Sequence, residues 1–321
     1  MVIGCTKQKI TYAKIEGNAL GTTYHIVYSD KIEGLERAVD SILTGFNHAL
    51  STYQTNSMIT AFNTNSNEIW NNPEDLKFAK NDMILFGRMV QQSKLIWQQT
   101  NGAFDPAAAS LFEYYNQCKK QGVLMDTVKT KNILLHCGMA KIYIDESGFP
   151  SKIDTLTTLN FNAIAKGFFV DILAEYLENE GVENYMVEVG GEVRTKGKNQ
   201  QQQVWQIGVN RPLVGASATD YFEVIGLETN AMATSGNYQN FYFVDSVLIG
   251  HTIDPRTGKP VISDLKSATV VHKSCAVADA YATACMVLGY EKSKQLIEQN
   301  NELSAYFIIE KNGKLEGVFV D

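Results

Sequence analysis

The sequence predicts an α+β fold in which a largely antiparallel sheet packs against helices. Three observations carry that expectation. Segments of helical and strand periodicity do not alternate regularly, which disfavours a doubly wound parallel sheet. Several candidate strands are close enough in sequence to be joined as hairpins. The chain has 321 residues, is 45% hydrophobic and contains only 6 prolines, so it has the composition of an ordered globular body with a substantial core.

Thr22–Tyr28 is rich in β-formers and predicts the opening strand. Ile32, Leu35, Val39, Ile42, Leu43, Phe46 and Leu50 then recur at helical spacing, and Asn56–Phe62 predicts a polar loop or short turn. From Pro73 to about Thr100, the run from Leu76 through Phe86 and Val90 to Trp97 marks a long helix. Asn101-Gly102 would stop it, since glycine terminates helices well. Another helix is expected from about Ala163 to Asn179, ending before Gly181. Strands follow at about Tyr185–Val189, Val204–Asn210, Tyr221–Leu227 and Phe241–Asp245. A last helix covers about Val277–Leu288, and strands near Ala305–Ile309 and Val318–Val320 close the chain. There is no fixed-period repeat, and the glutamine run 200–203 is the one low-complexity segment.

A net charge of −7 with no lysine/arginine run argues against a nucleic-acid partner. No apolar stretch approaches the roughly 18–20 residues needed to span a bilayer. The five cysteines (Cys5, Cys118, Cys137, Cys275, Cys285) form neither a CxxC pair nor a disulfide framework, so buried free thiols are the ordinary reading. Cys5 stands apart. Val2-Ile3-Gly4-Cys5 resembles the tail of a lipobox, where bacterial lipoprotein signals are cut before an acylated cysteine. The charged and apolar parts of such a signal are absent, so Met1 would start a shortened chain; an inert N-terminal tail is the other reading. A lipid there would anchor the protein to a membrane without spanning it.

GxGxxG, GxxxxGK[ST], HExxH and GxSxG are all missing, and the five histidines do not cluster, so a zinc site is not expected. Other segments carry chemistry. His251-Thr252-Ile253-Asp254-Pro255-Arg256-Thr257-Gly258 is the most informative. Pro255 fixes one backbone angle and Gly258 can take a positive φ, giving a rigid polar loop or, more blandly, a charged hairpin turn. Asp279 and Thr283 lie four apart on the last helix among small alanines, so their oxygens share a face that could hold magnesium; the bland alternative is a first-turn aspartate and a packed threonine. Ala163-Ile164-Ala165-Lys166-Gly167 opens a helix whose amides and lysine favour an anion, unless Lys166 simply snorkels. Gly102-Ala103-Phe104-Asp105-Pro106 places an aromatic and a carboxylate in a bend, where Asp105 also suits an N-cap ahead of Pro106. Glu188-Val189-Gly190-Gly191-Glu192 ends a strand with a glycine pair, for close approach to a flat ligand or a bulge.

Taken in order, these segments resemble the FAD:protein FMN transferase (ApbE-type) family. The matching runs are Gly21–Tyr24, Ser51–Tyr53, Gly102–Pro106, Ala163–Gly167, Val189–Glu192, Ala233–Tyr238, His251–Gly258, and Ala278–Ala280 with Thr283. They extend from about Gly17 to Gly289. The resemblance implies an ApbE-like, T-fold-related architecture, with residues 1–16 a tail and 17–321 the catalytic domain. It implies a Mg²⁺-dependent enzyme that moves the FMN half of FAD onto a Ser or Thr hydroxyl of an acceptor protein, releasing AMP. FAD contacts would be Leu20, Tyr53, Ala103, Phe104, Asp105, Asn160, Lys166 and Ile253. Magnesium would be held by Asp279, Thr283 and the main-chain carbonyl of Ala163, and His251 would be the base. Asn160 stands where many members carry Asp, and Asn162 where Gly is common; Asn160 can hydrogen-bond a ligand but brings no charge. Leu20 replaces a common Met, a volume-conserving swap. Val214–Thr219 faintly echoes the acceptor motif, and we read it as coincidence.

Two other functions fit the same residues: an FAD pyrophosphatase that uses water instead of a protein hydroxyl, and a flavin-binding protein without turnover. The resemblance favours the lipoprotein reading of Cys5, hence a lipid anchor on the periplasmic side of the bacterial inner membrane. The acceptor would carry a Ser/Thr flavinylation motif, a membrane redox-complex subunit being one candidate.

Overall fold

The computed structural model describes residues 10–30, 32–64, 78–146, 148–213, 215, 217, 219–237, 241–244, 247–250 and 252–321. An eight-stranded sheet runs in the order Tyr12–Ala19, Thr22–Ser29, Tyr185–Val189, Glu192–Lys196, Ala231–Gly236, Leu265–His272, Ser304–Lys311, Lys314–Val320. Every neighbouring pair is antiparallel. The α+β expectation therefore holds.

Helices Ala165–Asn179 and Cys275–Leu288 lie side by side on one face of this sheet. Helices Leu35–Leu50 and Lys80–Gln99 pack outside them, and the main core fills the space between. The opposite face is covered in part by the hairpin Trp205–Asn210/Tyr221–Leu227, where Val209 and Leu227 meet Met232, Tyr306 and Ile308.

Several elements differ from the sequence expectation. Asn56–Phe62 is not a loop: residues Met58–Thr64 form a helix that buries Met58, Ile59 and Phe62, and the Ser57 hydroxyl accepts the Thr60 N–H at 3.2 Å. The long helix begins at Lys80 rather than Pro73, with residues 65–77 outside the described set. Tyr12–Ala19, Glu192–Lys196, Ala231–Gly236 and Leu265–His272 are additional strands, and Ala109–Gln121, Thr127–Leu134 and Tyr290–Glu298 additional helices. Ala231–Gly236, with sequence AMATSG, carries almost no β-propensity; it is a strand because its small side chains let the Cys275–Leu288 helix pack close.

The glycine pair ends strand Tyr185–Val189 as expected, and it is a turn rather than a bulge. Gly190 (φ 58°) and Gly191 (φ 101°) form the two-residue turn of a hairpin whose closing pair is Val189 and Glu192. Leu20 (φ 51°) and Gly21 (φ 78°) make the matching turn between Ala19 and Thr22. Tyr24 pairs with Val189, and Val193 with Met232, so both turns and Gly236 gather at one end of the sheet. Gly190 is required there, because a Cβ would come within 2.6 Å of the Thr22 methyl.

Candidate active site

Three loops and two helix ends converge at that end of the sheet. The first loop follows Gly102 (φ 75°), where the Thr100 hydroxyl accepts the Phe104 N–H at 3.3 Å. Asp105 then caps the short turn Pro106–Ala108, its carboxylate accepting the Ala107 N–H at 2.9 Å, as the Asp-Pro spacing predicts. The second loop precedes helix Ala165–Asn179. Its Asn160 N–H donates to the Pro106 carbonyl at 2.9 Å, and the Asn162 N–H to the Asn160 side chain at 2.8 Å.

The third loop is the hairpin Ile253–Asp254/Lys259–Pro260. Arg256 makes a forked pair with Asp254, both contacts at 2.8 Å. Gly258 (φ 68°) closes the turn, and a Cβ there would sit 2.4 Å from the Thr130 methyl. Ile253 is buried in a small cluster with Ala108, Leu111 and Tyr115, which ties this loop to the first.

Together they enclose a cleft of about 640 Å³. Ala103, Phe104, Asp105, Asn160, Ala163, Lys166, Ile253 and Thr283 all line it, bringing together most of the residues singled out from sequence. Asp279 lies one helical turn before Thr283, buried, and accepts the Gly167 N–H at 3.1 Å. Two of the residues singled out from sequence stand away from the cleft wall. Tyr53 is 88% exposed on the turn after helix Leu35–Leu50, and it is not part of the cleft wall. Leu20 is occupied by its own turn and by packing on the main core, and does not line the cleft either. His251 lies outside the described residues; its neighbour Thr252 lines the cleft.

Sequence reasoning missed Glu192 as a site residue, although it closes the Val189–Glu192 motif. Its carboxylate, almost wholly buried, meets the Lys166 ammonium at 2.5 Å. Ser235 and Gly236, within the Ala233–Tyr238 motif, line the cleft, and the Ser235 hydroxyl is 3.3 Å from that of Thr283. Asn116 and Phe112 line it from helix Ala109–Gln121, an element without a sequence signal.

The electrostatics are uneven. Burial raises Glu192 to about 8, with the nearby Asp279 adding to the effect and Lys166 opposing it. Burial also raises Asp279, against Lys166 and the Gly167 N–H. Burial disfavours the Lys166 ammonium, but Glu192 and Asp279 outweigh it and hold it above its ordinary value. Burial lifts Asp105 to about 7 despite the N–H groups it accepts from.

Two buried carboxylates thus share one ammonium, and a further cation would favour the ionised form of both. Asp279 and Thr283 offer hard oxygen atoms, and the nearby Ala163 can add a carbonyl, a set that fits magnesium. Among the described residues there is no group of three or more His, Cys, Asp or Glu that could hold a metal. Any ion here depends on such a mixed set.

An antiparallel α+β layer whose loops enclose a cleft, part apolar and part charged, is the frame of an enzyme. The ApbE family model matches residues 20–307, and the chain belongs to the ApbE family. It is 32% identical over 308 residues to the FAD:protein FMN transferase of Vibrio cholerae, covering 94% of this chain and 88% of that one. The Haemophilus influenzae FAD:protein FMN transferase is also 32% identical, with 92% and 86% covered. Among solved structures, the Vibrio cholerae flavin transferase ApbE superposes with a TM-score of 0.81 at 28% identity, over 97% of this chain and 98% of that one. The apo form of the Pseudomonas stutzeri flavinyl transferase ApbE gives 0.80 at 25% identity, over 98% and 96%.

Proposed function

We propose that this protein transfers FMN from FAD to a Ser or Thr hydroxyl of an acceptor protein and releases AMP, with Mg²⁺ required. The observation that carries the reading is the meeting of Phe104, Asp105, Lys166, Ile253 and Thr283 in one cleft from separate parts of the chain. The names of the family's curated members point the same way.

In this reading Phe104 and Ile253 provide apolar contact for a flat ring, and Asn160 hydrogen-bonds the ligand. Lys166, beside the start of its helix, faces the pyrophosphate, where its charge and the helix amides favour an anion. Asp279, Thr283 and the Ala163 carbonyl would hold magnesium, which when bound neutralises charge developing on the phosphates. His251, next to the cleft residue Thr252, accepts the proton of the acceptor hydroxyl. That oxygen forms a bond to the FMN phosphorus, and the phosphoanhydride bond to AMP breaks, AMP leaving with the bridging oxygen.

Outside the cleft, the lipobox-like Val2–Cys5 supports a lipid anchor on the periplasmic side of the inner membrane, close to an acceptor such as a membrane redox-complex subunit. Cys5 lies outside the described residues. Among the described residues, no helix is long and apolar enough to cross a membrane.

Intact mass of an acceptor domain bearing a Ser/Thr motif, incubated with protein, FAD and Mg²⁺ or EDTA, tests the proposal. A Mg²⁺-dependent gain of one FMN unit with AMP release is expected. Free FMN and AMP with an unmodified acceptor would replace it with a pyrophosphatase, and bound but intact FAD with a flavin binder.

A further inference from the structure

Asp171 and Asp279 cap each other's helices. Asp279, on helix Cys275–Leu288, accepts the N–H of Gly167 at the start of helix Ala165–Asn179, at 3.1 Å. Asp171, on helix Ala165–Asn179, accepts the N–H groups of Cys275 and Ala276 at 2.9 and 3.0 Å, and the Ser274 hydroxyl at 2.7 Å. Each aspartate therefore takes orphan amides from the first turn of the other helix, where a negative charge is also favoured by the helix dipole. Arg194 reaches across from the sheet and pairs with Asp171 at 2.9 Å, which orients the carboxylate and offsets its burial.

The contact is tight enough to fix the register of the two helices. A Cβ on Gly167 would lie 2.4 Å from the Cys275 carbonyl oxygen and 2.8 Å from the Asp279 Cβ. At this position the helices can neither slide nor separate without breaking the capping bonds. Asp171 does not line the cleft, so it meets no ligand there.

We propose that Asp171 is a positioning residue for the magnesium site. The three ligand groups assigned above come from both helices: the Ala163 carbonyl just ahead of one, Asp279 and Thr283 on the other. Asp171, held by Arg194, sets their relative placement. This rests on the magnesium reading of Asp279 and Thr283, and the experiment separates the two.

The test is Mn²⁺ binding, followed by electron paramagnetic resonance on metal-stripped protein with saturating FAD, for wild type, Asp171→Asn, Asp171→Ala and Asp279→Ala. Mg²⁺ activation of transfer and thermal melting are measured in parallel. Asp171→Ala is expected to weaken Mn²⁺ binding about 10–100-fold, the usual cost of losing a group that orients a metal ligand. Asp171→Asn, which keeps one acceptor oxygen, should fall between it and wild type, and it carries the test if the alanine variant does not fold. The Mg²⁺ concentration for half activation should rise in step, with kcat largely restored at high Mg²⁺. Asp279→Ala binding Mn²⁺ like wild type would remove the metal reading itself. Asp279→Ala losing Mn²⁺ while the folded Asp171 variants bind it normally, whatever their melting temperature, would overturn the positioning role alone.

Discussion

Lys166 and Glu192 meet at 2.5 Å beneath the cleft, and Glu192 is the more deeply buried partner. The Lys166 ammonium pairs with Glu192, and its charge favours the ionised form of both Glu192 and Asp279. Lys166→Met would leave two buried carboxylates facing each other, a loss on the order of 3 kcal/mol where both are ionised. The loss depends on pH. Glu192 already lies near 8 with its partner present, so without it the carboxylate stays protonated to higher pH and the penalty grows as pH rises. Thermal melts at about pH 6 and pH 9 should show a larger Lys166→Met deficit at pH 9. A deficit independent of pH would mean that Lys166 does not hold these carboxylates ionised.

FAD binding offers a second measure of the same lysine. Lys166 lines the cleft at the start of its helix, and in the proposed reading its ammonium meets the pyrophosphate. Lys166→Met should weaken FAD binding at least about tenfold, roughly 1.4 kcal/mol, and the difference should shrink at high salt. Fluorescence titration checks it. Unchanged affinity would place the pyrophosphate away from Lys166.

Asp105 sets a pH dependence of the ligand-free protein. Its folded-state value, about 7, lies above the ordinary carboxylate value near 4 of the unfolded chain. The stability tied to its neutral form is complete below about pH 4 and is lost as pH rises to 7. Asp105→Asn cannot ionise, and its side-chain oxygen can still accept the Ala107 N–H. Its stability relative to wild type should therefore improve steadily from about pH 4 to pH 7. Parallel stability curves across that range would show an ordinary carboxylate.

His251→Ala should lower transfer by about 10²–10⁴-fold, the usual contribution of a positioned base, while FAD affinity changes little. Stopped-flow transfer and FAD titration separate the two effects. Transfer at the wild-type rate would take the proton-accepting role away from His251.

The sequence made the helix-borne part of the site legible because its signals are local. Asp279 and Thr283 are four apart, Lys166 follows a run of small residues, and Asp105-Pro106 is a cap signature that the structure reproduces to the residue. Glu192 was hidden because its meaning depends on Lys166, 26 residues earlier and on another element. Asp171 was hidden likewise, since its hydrogen-bond donors are Arg194 and the distant run Ser274 to Ala276. The central strand Ala231–Gly236 escaped because close helix packing selects small side chains there, which erases the usual β-branched pattern. Helix Cys275–Leu288 was legible only by its length and alanines, since it is buried almost all round and shows no polar stripe. Tyr53 matched the family motif, and its exposure could not be read from that motif.

Gly167 gives the sharpest test of how tightly the site is built. The Cys275 carbonyl and the Asp279 Cβ both occupy the space that a methyl group would need, at 2.4 and 2.8 Å. Neither is the free end of a flexible chain, so a methyl group must push the two helices apart rather than turn a side chain aside. In an exposed helix, Gly→Ala gains up to about 1 kcal/mol through propensity. Here overpacking, typically about 1–3 kcal/mol, opposes and exceeds it. Gly167→Ala should therefore lower stability, and because the Gly167 N–H donates to Asp279, it should also raise the Mg²⁺ concentration needed for transfer. Gly181→Ala is the control at the far end of the same helix. Gly181 has a positive φ (81°), but no atom lies within 4 Å of the place a Cβ would take, so only backbone strain acts there and Mg²⁺ dependence should not move. Equal Mg²⁺ dependence in both variants would show that the helix contact at Gly167 does not govern the metal site.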